Sequence, residues 1–592
     1  MQLLPTNKNE ITKRGWKELD ILLVSADAYC DHPSFGIAIL SRVLESKGYK
    51  VGIIAQPNWL SIKDFTVMGT PRLFVGISGG NLDWLVSHYT PVKKRRSADA
   101  YSPGGETGLR PNRPLIAYTN KVREAFGKIP IIIGGLEASL RRFAHYDYLE
   151  DKLRRSILLD SGAHILAYGM GETQIVEIAN RLNQGDTIES LDTIRGTMIT
   201  RRDVSLYNDA VFLPSYEDIL SDKENLIHAT KKIYSEQDPF HGKTLVQKTG
   251  QRYIIQLPPP MPLAAKDIDL IYDLPYTREA HPSYKAQGGI PALTPVQFSI
   301  TSHRGCMGNC TFCSISAHQG TQVQSRSETS ILKEVTAITH MKSFRGTISD
   351  VGGPTANMYM MHCIKMARSG KCKDKTCMGT EICNSLICDH SHQLKLLKKI
   401  RSHPKVKHVF LSTGVRYDLV LKDTKSNFFK ELCAHYISGQ LKIAPEHSVS
   451  RILRLMHKPP YKQFTDFISK YDVMNKTLKK KQYVVTYFIS SFPGCTLDDM
   501  ISLALETKKL HFNPEQIQDF TPTPMTLATA MYYAEKDLHG NTIHVAKTVR
   551  ERKMQRALLQ HSQKRNYMLV KRALKETGKE HLLPILLGKN RR

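Results

Sequence analysis

Residues 303–313 read His-Arg-Gly-Cys-Met-Gly-Asn-Cys-Thr-Phe-Cys, and the fold prediction starts from this stretch. Its three cysteines have the spacing C-x3-C-x2-C: Cys306, Cys310 and Cys313. Gly305 and Gly308 allow the loop to turn tightly, and the aromatic Phe312 precedes the last cysteine. Three thiolates on one tight loop can converge on one face of an iron–sulfur cluster.

The number of cysteines in this loop indicates the type of cluster. A [4Fe–4S] cube has four irons, so three protein ligands leave one iron open to chelate S-adenosylmethionine (SAM) and to pass an electron into its sulfonium bond. Structural zinc prefers four ligands from paired C-x2-C knuckles, and neither His303 nor His318 has knuckle spacing. A disulfide framework suits short secreted chains, whereas this chain has 592 residues.

Length and composition limit the classes to which the protein can belong. The chain is long enough for three or four domains and has an ordinary globular composition, with 41% hydrophobic and 23% charged residues. We expect no membrane span, because no run of about 18 apolar residues occurs. The polar N-terminus and the clustering of most of the 11 cysteines predict a cytoplasmic protein that binds metal.

The chain is strongly basic. It has 83 Lys and Arg residues against 55 Asp and Glu residues, a formal net charge of +28. Such a charge favours RNA or another polyanion as a partner, because it raises the local concentration of polyanions. The alternative interpretation is a general bias of the organism toward lysine.

The first 180 residues predict a doubly wound sheet. Residues 20–26 form an apolar run typical of a buried parallel strand, and residues 36–47 have helical spacing before Gly48. Further strands are expected at 51–55, 73–78, 130–133 and 164–168. Glycines follow three of these strands, at the edge where open α/β sheets bind ligands: Gly79, Gly80, Gly134, Gly135, Gly169 and Gly171.

This segment resembles the cobalamin-binding-like domain that precedes many radical SAM cores. The resemblance rests on Ile133-Gly-Gly-Leu-Glu-Ala and Tyr168-Gly-Met-Gly-Glu. The base-off cobalamin motif Asp-x-His-x-x-Gly is absent, because Asp31-His-Pro-Ser-Phe-Gly36 has the wrong spacing. A structural domain without cobalamin is therefore the favoured interpretation.

Strands that follow the cysteine loop predict a partial barrel. The strand at 347–351 ends in Gly352-Gly353-Pro354, where radical SAM enzymes have a Gly-Gly-Glu-like turn. Further strands are expected at 408–412, 440–444 and 483–489. The resemblance of this turn implies Gly352 and Gly353 as backbone contacts to the methionine amine of SAM. Because reactive groups in such barrels lie at the carboxyl ends of strands, we nominate Arg416, Lys442, Glu446 and Ser490 for cofactor binding. Tyr417, His447 and Ser491 are neighbouring candidates, and each of these residues could instead form a structural contact.

The chain closely resembles the YgiQ-type radical SAM proteins. The resemblance rests on Gly352-Gly-Pro-Thr-Ala-Asn-Met-Tyr359, Gly414-Val-Arg-Tyr-Asp418, Ala444-Pro-Glu-His447, Phe492-Pro-Gly494 and Asp519-Phe-Thr-Pro-Thr-Pro-Met525. It implies a [4Fe–4S] cluster on the three loop cysteines, SAM as cofactor and an external electron donor resembling flavodoxin or ferredoxin. It supplies no substrate and no catalytic residue.

A second set of cysteines follows the Gly-Gly-Pro turn, at Cys363, Cys372, Cys377, Cys383 and Cys388. The surrounding segment is rich in lysine and turns, which is poor material for a buried core. We predict a second metal site on Cys363, Cys372, Cys377 and Cys383, either an auxiliary iron–sulfur cluster or zinc. Scattered reduced thiols are the alternative.

The predicted fold class is α/β, with a doubly wound, flavodoxin- or Rossmann-like first domain, a partial (β/α)6 barrel of TIM type and a basic helical tail. The expected boundaries are 1–180 for the cobalamin-binding-like domain, 181–290 for a connecting segment, 291–525 for the radical SAM core and 526–592 for the tail. The tail ends in Gly588-Lys-Asn-Arg-Arg592. The predicted function is a radical SAM enzyme that generates a 5′-deoxyadenosyl radical. The alternative is a noncatalytic iron–sulfur or zinc protein that binds nucleic acid.

Overall fold

The computed structural model describes residues 2–587 apart from 374, 513, 515 and 516. The chain divides into two compact units. Unit 1 comprises 1–301, 317–341 and 369–373, and unit 2 comprises 302–316, 342–368 and 374–592.

The secondary structure alternates strands and helices through most of the chain. The strands are β1 Ile21–Ser25, β2 Val51–Ala55, β3 Phe74–Ser78, β4 Ile131–Gly134, β5 His145–Asp147, β6 Lys152–Arg154, β7 Ile165–Ala167, β8 Thr197–Arg201, β9 Val211–Phe212, β10 Leu245–Thr249, β11 Arg252–Gln256, β12 Ser299–Thr301, β13 His303–Arg304, β14 Gln324–Ser325, β15 Thr347–Ile348, β16 Asp350–Gly352, β17 His362–Cys363, β18 Leu386–Ile387, β19 His408–Val409, β20 Gln440–Glu446, β21 Tyr483–Ser490 and β22 Ile517–Asp519. The helices are α1 Lys8–Lys13, α2 Gly36–Ser46, α3 Lys63–Thr66, α4 Trp84–His88, α5 Pro114–Phe126, α6 Gly135–Leu140, α7 Ile157–Ser161, α8 Glu172–Asn183, α9 Tyr216–Ser221, α10 Glu224–Ser235, α11 Ala265–Tyr272, α12 Ile315–Gln319, α13 Glu328–Thr339, α14 Met366–Ser369, α15 Ser391–Arg401, α16 Tyr417–Lys422, α17 Phe428–Glu431, α18 Ser450–Leu455, α19 Tyr461–Thr477, α20 Leu497–Lys509, α21 Leu527–Ala534, α22 Val549–Leu559, α23 Tyr567–Glu576 and α24 Leu583–Leu587.

Unit 1 is built on one sheet with the strand order β2-β1-β3-β4-β7-β8-β11-β10-β9. The five strands from β2 to β7 pair in parallel, with Ile21 opposite both Val51 and Phe74. All five residues of β1 are buried, as expected for a strand covered on both faces. The predicted parallel sheet of the first 180 residues is confirmed, with strand ends shifted by at most one residue.

The predicted boundary at residue 180 is wrong, because the same sheet continues beyond it. Strand β8 pairs antiparallel with β7, and β11 and β10 extend the sheet through further antiparallel pairs. Residues 181–290 are therefore not a connecting segment. Their short strands lack the long apolar runs of parallel strands, so the hydrophobic pattern did not reveal them.

Unit 2 contains parallel strands connected by helices. Strands β20, β21 and β22 pair side by side in parallel, and β15 pairs in parallel with β19. Helices α18 and α19 connect β20 to β21, and α20 connects β21 to β22. This order agrees with the predicted βα repeat, while closure into a six-stranded partial barrel stays a prediction. The strand predicted at 296–301 is shorter than expected, because only Ser299–Thr301 is extended.

The C-terminal segment is helical, as predicted, but its helices are packed into unit 2 and do not form a solvated tail. Helix α22 buries Met554, Ala557 and Leu558, and α23 buries Val570 and Leu574. The described part of this segment is therefore a folded part of unit 2, although its end at 588–592 lies outside the described residues. Among the described helices, none is long and apolar enough to cross a membrane.

Candidate functional site

Thr311 fixes the middle of the cysteine loop inside unit 2. Its hydroxyl donates to the carbonyl of Leu455 at 2.8 Å, and its backbone N–H donates to the carbonyl of Met456 at 3.2 Å. Its own carbonyl accepts from the N–H of Ala528 at 2.9 Å. The loop is thus held between the end of α18 and the start of α21, and the thiols before and after Thr311 occupy defined positions.

His303 fixes the start of the loop. Its Nε2 donates to the carbonyl of Thr355 at 3.0 Å, and its Nδ1 lies 2.9 Å from the hydroxyl of Ser302. Burial lowers the pKa of His303 to about 4, so the imidazole is neutral at physiological pH. A Cβ at Gly353 would lie 2.5 Å from the carbonyl oxygen of His303, so glycine is required for this close packing.

Polar side chains approach two of the three thiols. The Sγ of Cys306 lies 3.5 Å from the hydroxyl of Thr355, and Nη1 of Arg416 donates to the Sγ of Cys310 at 3.8 Å. A Cβ at Gly308 would lie 3.3 Å from both Nη1 of Arg416 and the Sγ of Cys306. The missing side chain at Gly308 therefore gives the guanidinium access to the loop.

The electrostatics of the thiols suit a positively charged ligand. Burial raises the pKa of Cys306, and it raises the pKa of Cys313 to about 12, with further increases from the neighbouring loop thiols. A bound iron centre would supply the positive charge that holds such thiols as thiolates. Among the described residues, no three His, Cys, Asp or Glu side chains are arranged to bind a single metal ion. An iron–sulfur cluster is larger than one ion, so its ligands stand farther apart.

Arg416 is held rigidly in this position. It forms a two-pronged ion pair with Asp418, with Nε–Oδ1 and Nη2–Oδ2 distances of 2.8 and 2.5 Å. The buried Asn357 accepts from its backbone N–H at 2.8 Å and donates to its carbonyl at 3.1 Å. Asn357 and Asp418 were not nominated from the sequence, although both lie in the motifs that carried the family resemblance.

Glu446 forms a buried ion pair with Lys458. The Nζ–Oε1 distance is 3.5 Å, and the side chains are 3% and 8% exposed for Lys458 and Glu446. Glu446 has a left-handed backbone with φ of 66°, which is unusual for a residue other than glycine. Lys458 was missed by the sequence analysis, because a single lysine before two prolines carries no periodic signal.

The remaining nominated residues have structural contacts. The hydroxyl of Ser490 donates to Asp519 at 2.5 Å, and Asp519 also accepts from Arg556 at 2.8 Å. Lys442 is half-buried on β20, and its carbonyl accepts from the N–H of Val415 at 3.0 Å. A Cβ at Gly352 would lie 3.4 Å from the Cα of Ala356.

Two further candidates are also buried in unit 2. The Nε2 of His447 lies 3.5 Å from the Sγ of Cys495, and burial lowers the pKa of His447 to about 4 while raising that of Cys495. This pair is therefore a neutral imidazole beside a neutral thiol. Tyr417 is buried among Phe464 and Phe467.

The second cysteine segment forms a small folded structure next to the cysteine loop. Cys363 pairs with Leu386 across β17 and β18, and the N–H of Cys383 donates to the carbonyl of Cys377 at 3.0 Å. Met378 forms a parallel bridge with Gly308. Cys372 is exposed and belongs to the 369–373 stretch of unit 1, so the predicted four-cysteine set is divided between the two units.

Comparison with protein families and with known proteins defines the class. The family model described as "Radical SAM N-terminal" matches residues 3–299, and a domain of unknown function, DUF3362, matches residues 515–590. Together with the cysteine loop and its parallel strands, these matches place the chain among the radical SAM proteins. The resemblance seen in the motifs is confirmed.

The particular family follows from full-length relatives. A UPF0313 protein of Clostridium botulinum is 50% identical over 98% of this chain and 91% of its own length. A UPF0313 protein of Methanocella arvoryzae is 49% identical over 97% of this chain and 96% of its own length. The chain belongs to the UPF0313 family.

A solved structure shares the fold. The radical SAM methyltransferase TsrM from Kitasatospora setae, solved with cobalamin and a [4Fe–4S] cluster bound, superposes with a TM-score of 0.50. The two chains are 13% identical, and the match covers 89% of this chain and 83% of TsrM. This likeness supports an α/β fold of the radical SAM type.

Proposed function

We propose that Cys306, Cys310 and Cys313 hold a [4Fe–4S] cluster and that the protein is an enzyme that uses it to cleave SAM reductively. The observation that carries the proposal is the single anchored loop, which holds all three thiols and on which the guanidinium of Arg416 contacts the thiol of Cys310. When bound, such a cluster supplies one electron to SAM, which gives methionine and a 5′-deoxyadenosyl radical able to abstract hydrogen from a substrate.

The residues of this chain have distinct roles in the proposal. Thr311 and His303 hold the loop, and the turn at Gly352 and Gly353 would offer backbone contacts to the methionine part of SAM. Arg416 balances the negative charge of the thiolates. Glu446 lies within electrostatic reach of Cys313, which makes it a candidate for polar contacts with SAM. Lys442 and Ser490 are retained as weaker candidates, because Ser490 is engaged with Asp519.

The test is SAM cleavage by anaerobically reconstituted protein with a chemical reductant. We expect the wild type to bind iron and to produce 5′-deoxyadenosine, and we expect Cys306→Ala to lose the iron of this cluster and the 5′-deoxyadenosine, because one of the three ligands of this cluster is gone. Cys433→Ala is the matched control, since Cys433 is a buried free cysteine on a different element. The enzyme proposal fails if the wild type carries an intact cluster but makes no 5′-deoxyadenosine, and if Cys306→Ala behaves like Cys433→Ala.

We also propose a second iron–sulfur site in the segment that contains Cys363, Cys377 and Cys383. The support is their position on one small structure that bridges to Gly308 of the cysteine loop. Two [4Fe–4S] clusters would give about eight iron atoms per chain, and Cys377→Ala would reduce the iron content to about four atoms per chain. An unchanged iron content in Cys377→Ala, with the Cys433→Ala control also unchanged, would remove this second site. Zinc in the purified protein would instead support the alternative metal.

A flavodoxin- or ferredoxin-like electron donor, an RNA partner and a cytoplasmic location stay predictions. The rival interpretation, a noncatalytic nucleic-acid-binding metalloprotein, predicts polyanion binding without SAM cleavage. The same reconstitution assay therefore separates the two functions.

A further inference from the structure

We infer that the N-terminal sheet does not carry cobalamin, because side chains of unit 1 itself occupy the crevice in which such a sheet would bind it. The likeness in fold to a cobalamin-bound enzyme raises the possibility of this cofactor. The residues at the carboxyl edge of the sheet argue against cobalamin binding, because they fill the space beside the strand ends.

The crevice is defined by the strand order. In open α/β sheets, ligands bind outside the carboxyl ends of the strands, at the point where the strand order reverses. In the order β2-β1-β3-β4-β7, this point lies between β1 and β3. Corrinoids are large ligands whose nucleotide tail needs an open groove at such a position.

Arg110 fills the space between β1 and β3. Its Nη1 donates to Asp27, just after β1, at 2.8 Å, and its Nε and Nη2 donate to the two carboxylate oxygens of Asp99 at 2.8 Å each. Nη2 also contacts the hydroxyl of Ser87. The Arg110 side chain is only 1% exposed, and those of Asp27 and Asp99 are 3% and 4% exposed. A charged group with three buried partners is part of the interior and leaves no groove at this point.

The loop that carries Asp99 covers the ends of β1 and β2. The carbonyl of Tyr101 accepts from the N–H of Ala28 at 3.0 Å, and the hydroxyl of Ser102 accepts from Gln56 at 2.8 Å. Ser102 is fully buried. The segment at 99–102 is therefore packed on the sheet, whereas the basic run at 93–96 is exposed.

The glycines at the strand ends face protein atoms. A Cβ at Gly79 would lie 2.5 Å from Oε2 of Glu137, and one at Gly80 would lie 2.3 Å from Oδ1 of Asp27. A Cβ at Gly135 would lie 2.8 Å from the hydroxyl of Ser78. The absence of side chains at these positions thus allows unit 1 to pack on itself, and the space is not left for a ligand.

The carboxyl ends of β4 and β7 are covered by His318, which comes from later in the chain. The hydroxyl of Ser139 lies 2.9 Å from Nδ1 of His318 and accepts from the N–H of Gly169 at 3.0 Å. A Cβ at Gly169 would lie 3.2 Å from the carbonyl oxygen of His318. The buried Arg142 donates to the carbonyl of Ser139 at 2.7 Å. His318 therefore acts as a structural contact here, and this end of the sheet is closed as well.

The first experiment uses the full-length protein with its cluster reconstituted. The protein is incubated with hydroxocobalamin, passed over a desalting column and examined for the visible absorbance of the corrinoid. We expect no corrinoid to elute with the protein and no shift of its melting temperature. Elution of one corrinoid per chain would overturn the inference.

The second experiment tests whether the crevice is interior. Arg110→Met removes the charge that compensates two buried carboxylates, so we expect a large fall in melting temperature of the holoprotein. Arg72→Met is the control, because Arg72 is 43% exposed and pairs with Asp20 and Asn183. If Arg110→Met and Arg72→Met have the same melting temperature, the Arg110 region is not a packed interior and the inference is wrong.

Discussion

Glu137 shows how strongly burial acts on single residues of unit 1. It lies at the start of α6 and is 1% exposed, and its Oε1 has no hydrogen-bond partner among the residues that the structure describes. Burial raises its pKa to about 8, and the nearby Asp83 adds to the increase, while Arg141, Arg113 and the N–H of Leu115 oppose it. The carboxyl is therefore largely protonated in the folded protein near neutral pH.

This residue predicts a pH dependence of stability. Because the folded pKa is raised from 4.5 to about 8, the folded state holds a proton that the unfolded chain has lost in this window. Its contribution to stability is fully present below 4.5 and is lost as the pH rises through about 8. Glu137→Gln removes the titration, so the melting temperature of the variant should fall less than that of the wild type over this range.

Glu124→Gln is the control for this measurement. Glu124 is 55% exposed and pairs with Lys121 on the surface of α5. We expect its melting temperature to follow the wild type at every pH. Parallel curves for Glu137→Gln and the wild type would show that Glu137 titrates normally in the folded state.

At the scale of elements, α22 determines the character of the C-terminal segment. Its Gln555 is fully buried, accepts from the N–H of Ser491 at 2.8 Å and donates to the carbonyl of Cys495 at 3.1 Å. Ser491 has a left-handed backbone with φ of 59°, directly after β21. The helix therefore supports a strained strand end of unit 2, which is a structural role that a basic tail would not have.

Two neighbouring cations on α22 allow a test of whether this helix has a structural role or acts only as a basic tail. Arg552 is 1% exposed and donates to the carbonyl of Phe520, whereas Lys553 is exposed. Arg552→Met leaves a buried carbonyl without this donor, which costs about 1–3 kcal/mol and lowers the melting temperature. Lys553→Met should change stability by less than about 0.5 kcal/mol. Equal melting temperatures for both variants would contradict a structural role of Arg552.

Helices and strands could be predicted where the sequence pattern that defines them lies within the element itself. The strands at 51–55 and 74–78 are short apolar runs, and Ser327 caps α13 as its position before a helical pattern indicates. Strands β8, β10 and β11 were missed, because their antiparallel pairing depends on partners that the local pattern does not identify. The turn at Gly353 was found as a motif, but its reason, the close carbonyl of His303, required the structure.

At the scale of the whole molecule, one part of the positive charge forms a basic surface of unit 2 around His435. The stretch from 395 to 407 contains no acidic residue and these cations: Lys395, Lys398, Lys399, Arg401, Lys405 and Lys407. Arg401, Lys480 and Lys398 converge on His435, where burial and these cations lower its pKa despite Glu431. Residues 401 and 480 lie just before β19 and β21, so this basic surface is at the amino-terminal end of the strands, opposite to the carboxyl ends that carry Glu446 and Ser490.

The basic surface predicts salt-dependent binding of single-stranded RNA. Replacing Lys398, Arg401 and Lys480 with Gln should weaken binding and reduce the slope of log affinity against log salt by about 2, since each phosphate contact contributes about 0.7. The control variant carries Gln at Lys13, Lys47 and Lys63, which are exposed on unit 1. Identical slopes for the two triple variants would exclude this surface as the RNA site, and an absence of binding at low salt would exclude RNA as a partner.

The sequence by itself determined the cysteine loop, the family motifs and the parallel strands, because cysteine spacing, Gly-rich turns and buried apolar runs are encoded within a few residues. Only the tertiary structure decided which charged residues meet. Arg110 and Asp27 are 83 positions apart, and Arg416 and Cys310 are 106 positions apart. Their pairing depends on how the strands are ordered, and burial then makes each such pair obligatory, since a lone buried charge is costly. For that reason the loop at 303–313 could be assigned from the sequence, whereas the closed edge of the N-terminal sheet could not.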